Sequence, residues 1–163
     1  MAQLRAGDLR AAAEERTRLG ELTGGPDYSD LVAWFVPAKE TLTIAGLVVD
    51  GQIARAAGDH AKAEAALREA AAIQANLPYM EPPFWYYPAR QTLAAVLLEA
   101  GKHSEAIQEF QASLHEAPNN AFALYGLMMA QEAAGDAAGA KVTKALFDKA
   151  WAGGTDVPQL AQL

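Results

Sequence analysis

Residues 87–120 read YPARQTLAAVLLEAGKHSEAIQEFQASLHEAPNN, and this stretch decides the fold. Leu93, Ala94 and Leu97 recur at the spacing of one helical face, in a run that Gly101 ends. Ala106, Phe110, Ser113 and Leu114 describe the inner face of a second run, ended by Pro118 and Asn119. Two short amphipathic helices around a glycine turn predict an antiparallel helix hairpin.

The same punctuation appears elsewhere. Gly7, Gly58, Gly101 and Gly135 are separated by 51, 43 and 34 residues, and Ala12, Ala63, Ala106 and Ala140 by the same three intervals. Two anchors that shift together predict four copies of one unit, with the surplus residues lying between copies. At these positions the chain resembles the tetratricopeptide repeat, a 34-residue helix-turn-helix unit with small residues where its helices touch. Ala94, Gly101, Ala106, Phe110 and Pro118 fill that pattern, with Leu97 where the family often has tyrosine and Arg90 where it often has tryptophan. The expected fold is therefore all-α. The resemblance implies a right-handed solenoid of antiparallel hairpins, a superhelix of about three and a half repeats.

The expected organisation is a single helical domain over 1–163. A partial repeat occupies 1–22, with the end of a first helix before Gly7 and a second helix carrying Ala12, Leu19 and Leu22 inward. Beginning in mid-repeat suggests either an array without an N-terminal cap or, the favoured expectation, a C-terminal piece of a longer array. Gly24, Gly25 and Pro26 then form a turn, Ser29 and Asp30 are placed to cap the apolar run Leu31 to Val36, and Pro37 suits the start of the next helix. The repeat over 38–77 carries Gly51 at a close-packing position and Asp50 where the family prefers leucine. The central repeat is 87–120, the C-terminal repeat or cap 120–151, and the tail 152–163, which is expected to be loose, laid over the last helix or folded into the groove as a pseudo-ligand.

Between the second and third repeats lies the segment 78–88, PYMEPPFWYYP, with four prolines and five aromatic residues. Its prolines predict extended backbone until Pro88. Tyr79, Phe84, Trp85 and Tyr86 either plug the gap between repeats or, with Trp85 foremost, anchor a ligand. The motif E-P-P-F-W-Y-Y-P, a repeat and a closing F-D-K-A-W together resemble the C-terminal region of a group of bacterial tetratricopeptide-repeat proteins of undefined activity, over about Tyr79 to Trp151.

The family's ligand groove is lined by the first helix of each hairpin. Carried over position by position, it implies Val48, Gln52 and Arg55, then Gln91, Ala95 and Leu98, then Phe122, Tyr125, Met129 and Glu132, with Trp85 beside them. Val48, Gln52, Gln91 and Ala95 do not supply the lysine and asparagine of members that clamp a carboxylate. Phe122, Tyr125 and Met129 also meet the spacing of a core stripe.

Composition narrows the chemistry. Thirteen basic side chains are scattered singly in a chain of net charge −7, which opposes a nucleic-acid partner. The chain has no cysteine, and no apolar run reaches the length of a membrane span. His60, His103 and His115 have no ligand-spaced partners, so no metal is expected, and neither a phosphate loop nor a serine elbow appears. No catalytic residue and no cofactor is expected. The expected function is a non-enzymatic cytoplasmic scaffold that binds a protein or peptide segment in its groove, self-association included. The second reading is the helical regulatory or substrate-binding part of a longer enzyme or regulator.

Overall fold

The computed structural model describes residues 7–163, so the helix expected before Gly7 lies outside the described residues. They form eight α-helices, one short 3-10 turn and no strand. The helices are α1 (Leu9–Gly24), α2 (Ser29–Ala33), α3 (Ala38–Ala56), α4 (His60–Ala75), α5 (Ala89–Glu99), α6 (His103–Glu116), α7 (Ala121–Ala133) and α8 (Ala137–Ala150).

The shared punctuation is structural. Gly7, Gly58, Gly101 and Gly135 all adopt left-handed backbone, with φ between 75° and 82°, a conformation that glycine reaches without a Cβ clash. After three of the four comes an aspartate that caps the next helix. Asp8, Asp59 and Asp136 accept hydrogen bonds from the backbone N–H groups of Ala11, Lys62 and Gly139. Lys102 takes the equivalent place before α6 and makes no side-chain cap. The following alanines Ala12, Ala63, Ala106 and Ala140 are all buried. Glycine therefore turns the chain, aspartate starts the helix, and alanine lets that helix approach its neighbour.

The chain divides into two compact units, one reaching to Ala89 and one spanning Arg90–Leu163. In the first, α3 packs along α4 and against α1. Ile44, Ala63, Leu67 and Ala70 are fully buried. A Cβ on Gly51 would lie 2.7 Å from Leu67 Cγ, so the expected close approach is real. Asp50 has an explanation that its repeat position hides. Its two oxygens accept from Arg16 Nε and Nη2 of α1 at 2.9 and 2.8 Å, a two-pronged pair.

The segment between α1 and α3 departs from the expected boundaries. The helix there is Ser29–Ala33, ending before the apolar run does. Its N-terminus is held by Asp27, whose carboxylate accepts from the backbone N–H and hydroxyl of Ser29 at 2.9 and 3.0 Å. These bonds hold the Asp27 carboxyl below the usual aspartate range. The end is a Schellman cap, with Val36 N–H on Leu31 O and Phe35 N–H on Val32 O. The residue in the left-handed position is Phe35, at φ 60°, where glycine is usual.

Segment 78–88 is non-helical, as its prolines require, and α5 starts at Ala89. Gln74 of α4 fixes its end. The Gln74 amide donates to Trp85 O at 3.4 Å and its oxygen accepts from Ala89 N–H at 2.8 Å.

In the second unit α7 packs against α6 and α8. Arg90 of α5 reaches Glu109 at 2.8 Å and Glu116 at 3.2 Å on α6, which accounts for an arginine where the resemblance suggests tryptophan. Phe110 is fully buried, and a Cβ on Gly126 of α7 would collide with its ring. The tail is exposed over 152–157, but Pro158 and Leu163 are fully buried around a 3-10 turn, Leu160–Gln162.

Candidate functional site

The structure gives the groove residues named from the sequence very different surroundings. On α3, Val48 is buried while Gln52 and Arg55 are half-buried. Trp85 is half-buried, and its buried indole N–H meets no acceptor. Phe84 is also half-buried, whereas Tyr79 and Tyr86 are more than four-fifths exposed. With Tyr87 also half-buried, the segment keeps three of its five aromatic side chains partly covered and leaves two exposed. The Tyr79 hydroxyl donates to Glu81 at 2.9 Å, and that carboxylate pushes the phenol above its ordinary pKa.

In the second unit, Gln91 and Ala95 are fully buried and Leu98 is half-buried. Gln91 is held by Asn120, whose amide donates to its oxygen at 2.7 Å. Phe122 and Tyr125 come together with two residues that the sequence reading did not join to them. Phe122 meets Trp151 edge-on at 5.6 Å, Tyr125 tilts against Phe147 at 5.6 Å, and Phe147 stacks on Trp151 at 5.7 Å. Such pairs are worth about 0.5–1.5 kcal/mol each beyond their buried area. The spacing of Phe147 and Trp151, one helical turn apart, was the available signal. Met129 is half-buried and Glu132 exposed on the same helix.

The open concavity of the first unit lies elsewhere, in a stretch read from the sequence as a spacer. It is a notch of about 610 Å³ between the chain entering α3 and the C-terminal half of α4, within the usual range for small ligands or a side-chain anchor. One wall is Val32, Phe35, Val36 and Pro37. Ala72, Ile73, Leu77 and Pro78 form the other. Glu40, in the first turn of α3, and Glu69 of α4 supply acidic groups to the lining, and neither carries an ion pair among the described residues.

Phe35 and the adjacent Trp34 are 81% and 80% exposed. Left-handed backbone costs a non-glycine residue roughly 1–2 kcal/mol, and a ring this exposed recovers little of that by burial. Strain kept at the wall of an open apolar notch is a pointer to binding.

Among the described residues no group of three His, Asp or Glu side chains is placed to hold a metal ion, and no helix is long and apolar enough to cross a membrane. Comparison with protein-family models, with curated proteins and with solved structures finds no match for this chain.

Proposed function

We propose that this chain is a tetratricopeptide-like, right-handed helical-repeat scaffold of the cytoplasm. It carries no catalysis of its own and holds an apolar segment of a partner protein in the notch beside Phe35. The observation that carries the reading is the notch itself, an open apolar concavity with a strained, exposed aromatic wall. Four left-handed glycines followed by four buried alanines at matching intervals support the repeat architecture. The unpaired Glu40 and Glu69, in a chain of net charge −7, favour a partner segment whose apolar anchor is flanked by lysine or arginine.

The test uses fluorescein-labelled peptides with one phenylalanine or leucine between lysines, and the same peptides with glutamate in place of lysine. Anisotropy should show the basic peptides binding, weakening with salt, and the acidic ones not. Phe35→Asn, which tolerates left-handed backbone, and Ile73→Asp should each weaken binding by about tenfold. Equal binding of both peptide sets, or of wild type and Ile73→Asp, would refute the assignment.

A further inference from the structure

A buried hydroxyl in the second unit is used in an unusual way. Thr17, Thr23, Thr41 and Thr43, all helical, return their hydroxyls to the carbonyl four residues back, the ordinary habit of threonine in a helix. Thr92 of α5, 1% exposed, instead donates to the backbone oxygen of Leu163 at 3.0 Å, across 71 positions of sequence. Its neighbour Gln91 is also fully buried, so two consecutive polar side chains are sealed at one place on the helix.

What lies over Thr92 has the character of a bound peptide. Residues 152–157 are exposed and include Gly153 and the left-handed Gly154, and they tether the end of the tail to α8. Beyond them Pro158 and Leu163 are fully buried, while Gln159, Ala161 and Gln162 face solvent. The segment also closes its own hydrogen bonds. Gln162 N–H and Leu163 N–H donate to Gln159 O and Leu160 O, and the Gln162 side chain accepts from Gln159 N–H at 2.8 Å. Its seat buries two apolar anchors, and Thr92 is at least one donor to its backbone. A donor to main chain beside buried side-chain anchors meets the requirements of peptide recognition.

We propose that the Thr92 face of α5 is a peptide-docking site whose resident occupant is the segment Pro158–Leu163. A partner segment of the same chemistry, proline and leucine anchors five positions apart around a polar turn, exchanges with it. The tether sets the threshold. A short covalent tether gives its ligand a high effective concentration, about millimolar where the tether is flexible, so a free segment competes poorly until the resident one is released. The inference goes beyond the notch of the first unit and uses different residues.

The probe is a labelled nonapeptide of residues 155–163, read by anisotropy against the full chain. Leu163→Asp removes one anchor of the resident segment and leaves the seat intact. With helicity retained by circular dichroism, it should bind the probe at least tenfold more tightly than wild type and expose the α5 amides to hydrogen exchange. Adding Thr92→Val should reverse most of that gain. A second form, with a protease site inserted between Gly153 and Gly154, should after cleavage stay helical and exchange its severed tail for the probe. Full helicity with no probe binding in either form would overturn the proposal, and so would collapse of both forms, since the tail would then be part of the core. Basic-peptide binding at the notch is measured on the same proteins, so its persistence would assign the failure to the tail alone.

Discussion

Gly51→Ala adds one methyl group where α3 meets α4, and the structure fixes what that group must displace. The new Cβ would lie 2.7 Å from Leu67 Cγ and 3.0 and 3.2 Å from its two methyl carbons. Carbon atoms in contact sit at about 3.5–4.0 Å, so the helices must part by roughly 1 Å or Leu67 must leave its rotamer. Leu67 is fully buried. Overpacking of this kind costs about 1–3 kcal/mol, and the better helix propensity of alanine returns about 1 kcal/mol. The net expectation is a loss of about 1 kcal/mol, a fall of roughly 2–4 °C in Tm for a chain of this size. The decisive assay is a double-mutant cycle in urea followed by circular dichroism. Leu67→Ala alone should cost about 2–5 kcal/mol. In the double mutant the alanine methyl occupies space that Leu67 has vacated, so the two losses should fall short of additivity by 1 kcal/mol or more. Additivity within about 0.5 kcal/mol, or a single Gly51→Ala variant that gains stability, would refute the close approach.

Gly101→Ala meets no neighbouring atom, so its cost is that of left-handed backbone alone, about 1 kcal/mol; Gly58→Ala and Gly135→Ala should cost about the same, and widely unequal denaturation midpoints would contradict a shared turn. Arg16→Met leaves the Asp50 carboxylate half-buried without its partner and should cost about 1–2 kcal/mol after allowance for solvent screening. Arg16→Lys should recover only part of this, because an ammonium cannot match the two-pronged geometry; full recovery in thermal melts would count against it. Asp27 ionises more readily folded than unfolded. Its support of α2 is therefore present above the unfolded pKa and lost as pH falls through the lower folded one. Carbon-detected titration should place its midpoint below that of an unfolded aspartate, and Ser29→Ala, which removes the hydroxyl bond and keeps the larger backbone one, should raise it part of the way; an unmoved midpoint would exclude the hydroxyl as a cause.

The turns and the touching faces of the helices were legible because glycine, aspartate and alanine act locally. A left-handed turn needs Gly58 or Gly101 whatever surrounds it, and a touching face needs Ala63 or Ala106. The Gly-Asp pairing itself is readable at Gly7-Asp8, Gly58-Asp59 and Gly135-Asp136. The notch was not legible. Leu31 to Val36 has the composition of a short helix, and only the fold shows that Phe35 leaves it in the left-handed region and becomes a wall. Gln91 and Thr92 illustrate the opposite difficulty. The resemblance put Gln91 in the groove, but whether a polar side chain on a helix faces water or a sealed partner depends on Asn120 and Leu163, 29 and 71 positions away.

The glycine turns also bear on how the chain is made. Each of the last three hairpins closes on a turn that lies within itself, and its buried alanine follows only five residues later, so its first contacts need nothing not yet synthesised. At about 5–20 residues per second, a ribosome takes roughly 2–7 s to add 34 residues. Helices rich in local contacts form in microseconds to milliseconds. A hairpin such as α7–α8 has time to close as it emerges, whereas the bond from Thr92 of α5 to Leu163 must wait for 71 further residues to be added.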